Sequence, residues 1–245
     1  LADGFGFESL FYQAWRVREK VLDMQELTTG ARLIFSVNKI GGVIKDITDD
    51  QMKIILTTLE EVEEELNTLS NTFLNDYTVQ TRLVGVGVLT KEQAHDLGCT
   101  GPFGRASGIY ADMRKLGYAA YPYIDFEPVV SHEGDCYARC KCRIMEIFQS
   151  IDILRQAIAG IPGGDLSVPV KGNPNGEYFM RVEQPRGEAI YYVKANSKPF
   201  VERFRIRTPT FANLPGLCEM LKNTELADVG LLVLTIDPCI SCTER

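Results

Sequence analysis

The sequence has no apolar run near the roughly 18 residues that a membrane-crossing helix needs, so no direct insertion is expected and membrane association would run through partner subunits. It has no surplus of basic residues: 26 Lys and Arg stand against 33 Asp and Glu, a net charge of −7. Without a basic stripe to follow a phosphate backbone, nucleic acid is not an expected partner. It lacks the spacing of a small disulfide scaffold, because its seven cysteines are odd in number and spread over 245 residues. Such usage reads as a reducing, cytoplasmic compartment, where clustered cysteines more often bind metal. Histidines are scarce. His95 falls in a polar helical pattern and His132 in a loop, and neither is assigned to metal.

What is present is helical periodicity. Leu10, Ala14, Val17, Val21 and Met24 recur at three- and four-residue spacing, which predicts a helix over 7–28 with Gly30 closing it. Met52, Ile55, Leu59, Val62, Leu66 and Leu69 predict a second over 49–69, whose other face carries an acidic run read as solvated. A third is expected over 135–158. Between them, 82–89 reads as a short strand, 91–97 as a short helix and 101–126 as a long, functional or partner-wrapping loop. Beyond Gly160 the character changes, with short strands over 178–182, 189–193 and 203–207 and a helix over 215–221. The apolar run Leu231 to Leu234 delivers Asp237-Pro238-Cys239 to the interior. The expected fold is mainly α with α+β parts: a single domain over 1–245, with a long-helix core and loop over 1–160 and a small β-containing C-terminal part over 161–245.

Cys239-Ile240-Ser241-Cys242 places two sulfurs on one side of a tight turn, where both can bind one soft or borderline metal. Alone, the spacing also suits half a zinc site or a redox dithiol. The other close group, Cys136, Cys140 and Cys142, reads as small buried helix residues. Cys99 and Cys218 read as isolated core thiols.

With its flanks, Asp237-Pro238-Cys239-Ile240-Ser241-Cys242-Thr243-Glu244-Arg245 resembles the C-terminus of a [NiFe] hydrogenase large subunit, in particular the energy-converting, membrane-associated branch. Gln184-Pro185-Arg186-Gly187-Glu188 resembles that family's Pro-Arg-Gly segment. Trp15 to Lys20, Asn38 to Gly42, Gly101-Pro102, Ser107-Gly108, Asp112 to Lys115 and Gly134 to Tyr137 also fit, and these central segments are shared with the hydrogenase-like subunit of respiratory complex I. The terminal cysteine pair distinguishes the two.

The resemblance implies roles. Cys239 would be a terminal nickel thiolate and Cys242 would bridge nickel and iron, in a Ni-Fe centre whose iron carries CO and cyanide. Thr235 matches a hydroxyl that donates to cyanide, and backbone N–H groups around Pro185 and Arg186 match the other donors. Arg186 would hang over the metals, oriented by the Asp237 carboxylate. Plain alternatives stay open: a structural ion pair for Arg186, a helix N-cap for Asp237 and a strand threonine for Thr235. The family supplies two further nickel cysteines from a second Cys-x-x-Cys, which this sequence lacks. They are expected from an upstream segment or another chain, together with the glutamate proton relay. The cysteine pair is accordingly expected in the interior. The implied reaction is H₂ ⇌ 2H⁺ + 2e⁻, with electrons passing to an iron–sulfur small subunit and membrane ion-translocating subunits coupling it to pumping, on the cytoplasmic side of the membrane. A complex I-like quinone-reactive scaffold and a zinc-binding structural module are the competing readings.

Overall fold

The computed structural model describes residues 1–244. Mainly helical, it carries a two-stranded and a three-stranded antiparallel sheet. The chain forms two compact units that do not follow chain order. One holds 2–75 and 150–172; the other holds residue 1, 76–149 and 173–245.

The first unit is built on α1 (Glu8–Thr29) and α2 (Asp49–Asn75). Gly30 ends α1 in the left-handed region at φ 86°, its N–H on the Glu26 carbonyl, as the sequence suggests. The periodic stripes meet: Val17, Ile55, Leu59, Val62 and Leu69 pack with Ile151 into one core. Leu59 is 1% exposed, so its truncation to Ala should cost roughly 2–5 kcal/mol. The acidic face of α2 binds Lys20 through Glu61 and Glu65 and Arg155 through Glu63. α2 runs to Asn75, six residues beyond its expected end at 69. Between the helices lie β1 (Asn38–Lys39) and β2 (Gly42–Val43). A Cβ on Gly42 would meet the Leu166 carbonyl at 2.2 Å, so glycine is required for Gly42 to bridge Ser167.

The second unit holds α3 (Tyr77–Leu83), α4 (Lys91–Asp96), α5 (Gly101–Arg105) and the first half of α6 (Cys136–Ala159). Then follow β3 (Asn175–Gln184), β4 (Gly187–Asn196), β5 (Arg203–Arg207), α7 (Pro209–Met220), α8 (Leu226–Thr235) and α9 (Ile240–Thr243). Several expectations are corrected. The strand expected over 82–89 is the end of α3 and a turn, broken by Gly85 and Gly87 at positive φ. The 101–126 loop opens with a helix whose residues are all buried. The apolar run before Asp237 is part of helix α8, so the strand alternative for Thr235 fails and Thr235 ends a helix. Short apolar runs carry no periodicity to separate the two states.

Strand order is β3-β4-β5, with Glu183 opposite Glu188, Gln184 opposite Gly187 and Ile190 opposite Arg207. Pro185 and Arg186 are therefore the two-residue turn of the β3–β4 hairpin. That tip touches the start of α5 backbone to backbone. A Cβ on Gly101 would fall 2.4 Å from Gly187 Cα, and one on Gly187 would fall 2.6 Å from Gly101 N. Two facing glycines let the turn seat there.

Candidate functional site

Four elements converge on residues 237–242. α8 ends at Thr235, and its last carbonyl accepts a hydrogen bond from the half-buried Arg143 guanidinium. Asp237 follows in the left-handed region at φ 55°. A non-glycine residue held there costs about 1–3 kcal/mol unless its surroundings hold it. Arg186 does so from the hairpin tip: its Nε donates to the Asp237 carbonyl at 2.7 Å, and its Nη2 to the carboxylate at 3.3 Å. The structure thus brings Arg186 and Asp237 together, the contact common to an orienting carboxylate and to a structural ion pair. The N-cap alternative fails, because Cys239 occupies the N-cap position of α9.

The turn is gripped from its other side by residues that sequence reasoning missed. Thr208 precedes Pro209 as a helix-start threonine would, yet its hydroxyl makes no cap. It donates instead to the Cys242 carbonyl. Thr210, in the first turn of α7, accepts from the Cys239 N–H at 3.3 Å. Both threonines are buried. A Thr-Pro-Thr segment carries an ordinary helix-start signal, so nothing local marks these hydroxyls as spent elsewhere.

Cys239 and Cys242 are half-buried, not interior as expected: Cys239 caps the four-residue α9 and Cys242 lies within it, and no residue of that helix is buried. The Cys239 sulfur lies 3.1 Å from the Ser241 hydroxyl. That hydroxyl and the Cys242 N–H lower the Cys239 thiol to about 7, with Arg186 adding its positive charge. Burial first, and then the neighbouring Cys239, push Cys242 up. The two thiols therefore titrate as a pair, giving up one proton readily and the second reluctantly. Two adjacent sulfurs, one already thiolate near neutrality and backed by a cation, suit half of a soft-metal site. Among the described residues no group of three or more His, Cys, Asp or Glu is arranged to hold a metal ion.

Thr235 lies elsewhere in the arrangement. It is fully buried; its hydroxyl donates to the Leu232 carbonyl at 2.8 Å and accepts from Arg139 Nε at 3.2 Å. Arg139 continues to the Gly134 and Gly87 carbonyls and to the Cys136 sulfur. Thr235 and Cys136 thus belong to a guanidinium lattice behind the motif. Cys140 and Cys142 are buried, with thiols pushed up by burial to about 12 and about 11. None of these faces the terminal pair as a ligand group, and of the two thiols expected in the core Cys99 is buried but Cys218 is exposed.

Beside the hairpin lies a second polar assembly, unsuspected from sequence. Arg105, 1% exposed, bonds Glu183 at 2.8 Å and Glu146 at 2.7 Å. Asp112 lies 3.6 Å from it and is held by Arg114. Glu183 also accepts from the Met113 N–H at 3.0 Å. A cavity of about 230 Å³ opens alongside, lined by Arg105, Glu183, Glu188, Arg181 and Arg207.

The family model of the respiratory-chain NADH dehydrogenase 49 kDa subunit matches residues 4–173 and 168–245 of this chain. The membrane-bound hydrogenase subunit alpha of Pyrococcus furiosus is 35% identical over 98% of this chain and 60% of its own length. An NADH-quinone oxidoreductase subunit of Phocaeicola vulgatus is 36% identical over 98% of this chain and 47% of its own length. This chain thus spans about half to three fifths of those relatives. Its fold superposes with a TM-score of 0.93, at 32% identity, on a chain of the membrane-bound sulfane sulfur reductase, an archaeal respiratory membrane complex, covering all of this chain and 69% of that one. No helix among the described residues is long and apolar enough to cross a membrane. With its helical core, its hairpin and its cysteine turn accounted for, the chain belongs to the 49 kDa complex I subunit family, an oxidoreductase family that includes hydrogenase-related subunits of membrane complexes.

Proposed function

We propose that the chain is part of the catalytic subunit of an energy-converting [NiFe] hydrogenase, H₂ ⇌ 2H⁺ + 2e⁻. The observation that carries it is the cysteine pair: two adjacent thiols, one acidified to about 7, lie beside a guanidinium anchored on the intervening turn. A scaffold that only accommodates quinone has no use for such a pair. Cys239 and Cys242 would hold the metals, with the remaining ligands coming from outside this pair. A bound Ni-Fe centre with CO and cyanide would supply the activation of H₂.

The chain's own residues have separable tasks. Arg186 keeps a positive charge near enough to both thiols to act on them, and its planar fork is held by two acceptors on Asp237. Asp237 orients that fork and leaves it little freedom. Backbone N–H groups around Pro185 and Arg186 would line the wall opposite the sulfurs. Thr235, with its hydroxyl committed to Leu232 and Arg139, would support the motif from behind. Electrons would pass to an iron–sulfur small subunit, and membrane ion-translocating partners would couple the reaction on the cytoplasmic side.

The match to the 49 kDa subunit family and to a quinone oxidoreductase favours a second reading, a complex I-like quinone-reactive subunit. Elemental analysis and infrared spectroscopy of the intact complex separate the two. Nickel and iron in equal amounts at the site, with CO and cyanide bands, are expected. Their absence from a complex that reduces or oxidises quinone would overturn the hydrogenase reading, and zinc alone would leave a structural module.

A further inference from the structure

Glu188 is the second residue of β4, two positions past Arg186, and is buried. One of its carboxylate oxygens accepts from Arg181 Nε on β3, and the other from Arg207 Nη1 on β5 at 3.0 Å. The register explains how one side chain reaches both. Ile190 faces Arg181 on one side and Arg207 on the other, and Glu188 lies two residues along on the same face, so it meets each arginine on the diagonal. A single carboxylate therefore spans all three strands.

Sheet stability alone gives little reason for a glutamate here. Its directly opposed neighbour is Glu183, and like charges directly opposite destabilise a strand pair. Glu183 is drawn off to Arg105 and the Met113 N–H, which leaves Glu188 to the two sheet arginines. Such a local conflict points to a job beyond pairing.

The job follows from what the strand ends carry. The β3–β4 turn presents Arg186 to Asp237, while β5 runs straight into Thr208, which binds the Cys242 carbonyl. Backbone pairing of β4 with β5 stops at Ile190 and Arg207. Thr208 lies beyond that last pair, so the ladder does not fix its distance from the turn. The Arg207–Glu188 contact does. We propose that Glu188 is a positioning residue: through Arg181 and Arg207 it sets the spacing between the Arg186 turn and Thr208, and so the shape of the Asp237–Cys242 turn held between them. This holds whatever the two thiols bind, and so stands apart from the hydrogenase reading.

The test uses the assembled complex carrying the full chain, as parent and as Glu188→Gln, Arg207→Gln, Arg207→Lys and Glu177→Gln variants. Glu177 is an exposed glutamate at the far end of β3, paired with Lys194, and serves as the control. After reductive chelation, alkylation of Cys242 and Cys239 by iodoacetamide is followed at one fixed pH by peptide mass spectrometry, with the exposed Cys218 as an internal reference. Melting temperature is recorded in parallel. Glu188→Gln and Arg207→Gln should change the rates at Cys239 and Cys242 by about tenfold, the scale on which supporting residues tune a site. Cys218 and the Glu177→Gln complex should match the parent, and Arg207→Lys should recover part of the effect. Where the parent shows CO and cyanide bands, these should shift in the same two variants. A complex without such bands sinks the hydrogenase reading but leaves the alkylation result decisive here. Should Glu188→Gln fail to assemble, Arg207→Gln, which keeps the Arg181 contact, carries the test. Assembled variants that lose melting temperature while alkylating like the parent would overturn the proposal.

Discussion

Two polar assemblies lie on the same hairpin, one behind the other. At Glu183, guanidinium and carboxylates are packed out of water and bonded to one another: Arg105, Glu183, Glu146 and Asp112 share contacts of 2.7–3.6 Å. Three residues further on, Arg186 and Asp237 make a partly exposed pair, and no group among the described residues completes a ligand set with the thiols beside them. The inner assembly is closed on itself, and the outer one ends on two thiols with no third ligating group arranged beside them among the described residues. A saturated buried ion cluster fixes structure, because any missing partner strands a charge in a low-dielectric interior. An acidified thiol pair without further partners keeps bonding capacity, which the proposed function assigns to a metal. The fold thus uses a closed network to hold rigid the hairpin that presents an open one.

Breaking the open site should have the largest functional effect. On the proposed function, Cys239→Ser or Cys242→Ser should abolish metal retention and turnover in the complex, since these two thiolates would supply only half of a four-sulfur set. Metal analysis of the assembled variants checks this, and nickel held at parental level would show that the pair is not the ligand set. Breaking the closed network should fall on stability instead. Arg105→Ala leaves the buried Asp112, Glu183 and Glu146 carboxylates without their shared cation, which should cost roughly 3–5 kcal/mol in denaturant melts. A loss below about 1 kcal/mol, the range of an exposed pair, would mean that the inner network is no better buried than the outer one. Arg186→Lys should sharpen the contrast. A partly exposed pair contributes at most about 1 kcal/mol to folding, so stability should hold. Turnover should fall about a hundredfold, as when one transition-state donor is lost, with the metals retained. Parental activity would make Arg186 structural.

How much of this is legible in the sequence follows the range of the interactions. α1, α2 and α6 are, because their stripes repeat every three or four residues and each burial decision is local. The cysteine turn and the Pro-Arg-Gly segment are, because each motif is contiguous, whereas the pairing of the strands that makes Arg186 a hairpin tip is seen only in the structure. The contact of Arg186 with Asp237 comes from family resemblance rather than from any local signal. Arg105 and Glu183 stand 78 positions apart, and nothing near either reveals that they are paired. Thr208 and Thr210 look like a helix start and serve a carbonyl and an N–H 34 and 29 positions away, respectively. The region from 101 to 126 reads as loop on its Gly, Pro and Tyr content, yet Gly101 to Ala106 is buried: Gly101 is what lets the hairpin tip approach. Composition records the irregular backbone there but not that other backbone packs against it.

The smallest expected effect concerns the thiols themselves, and it compares the cysteines of the open site with those of the interior. In the metal-free protein Cys239 is lowered from an ordinary thiol value to about 7 by the Ser241 hydroxyl and the Cys242 N–H, whereas burial raises Cys99 to about 11 and Cys140 to about 12. Only the thiolate attacks an alkylating reagent. Alkylation of Cys239 should therefore rise through a midpoint near pH 7, while Cys99 and Cys140 stay inert until the fold opens. The linkage has a matching sign. A thiol whose pKa is depressed on folding favours the folded state above its unfolded value near 9, and that contribution is lost as pH falls through 7. Ser241→Ala removes the leading donor and should move the Cys239 midpoint upward while leaving Cys218 unchanged. A midpoint that stays put would assign the acidity to Arg186 and the Cys242 N–H, and Arg186→Gln would then be the variant that moves it.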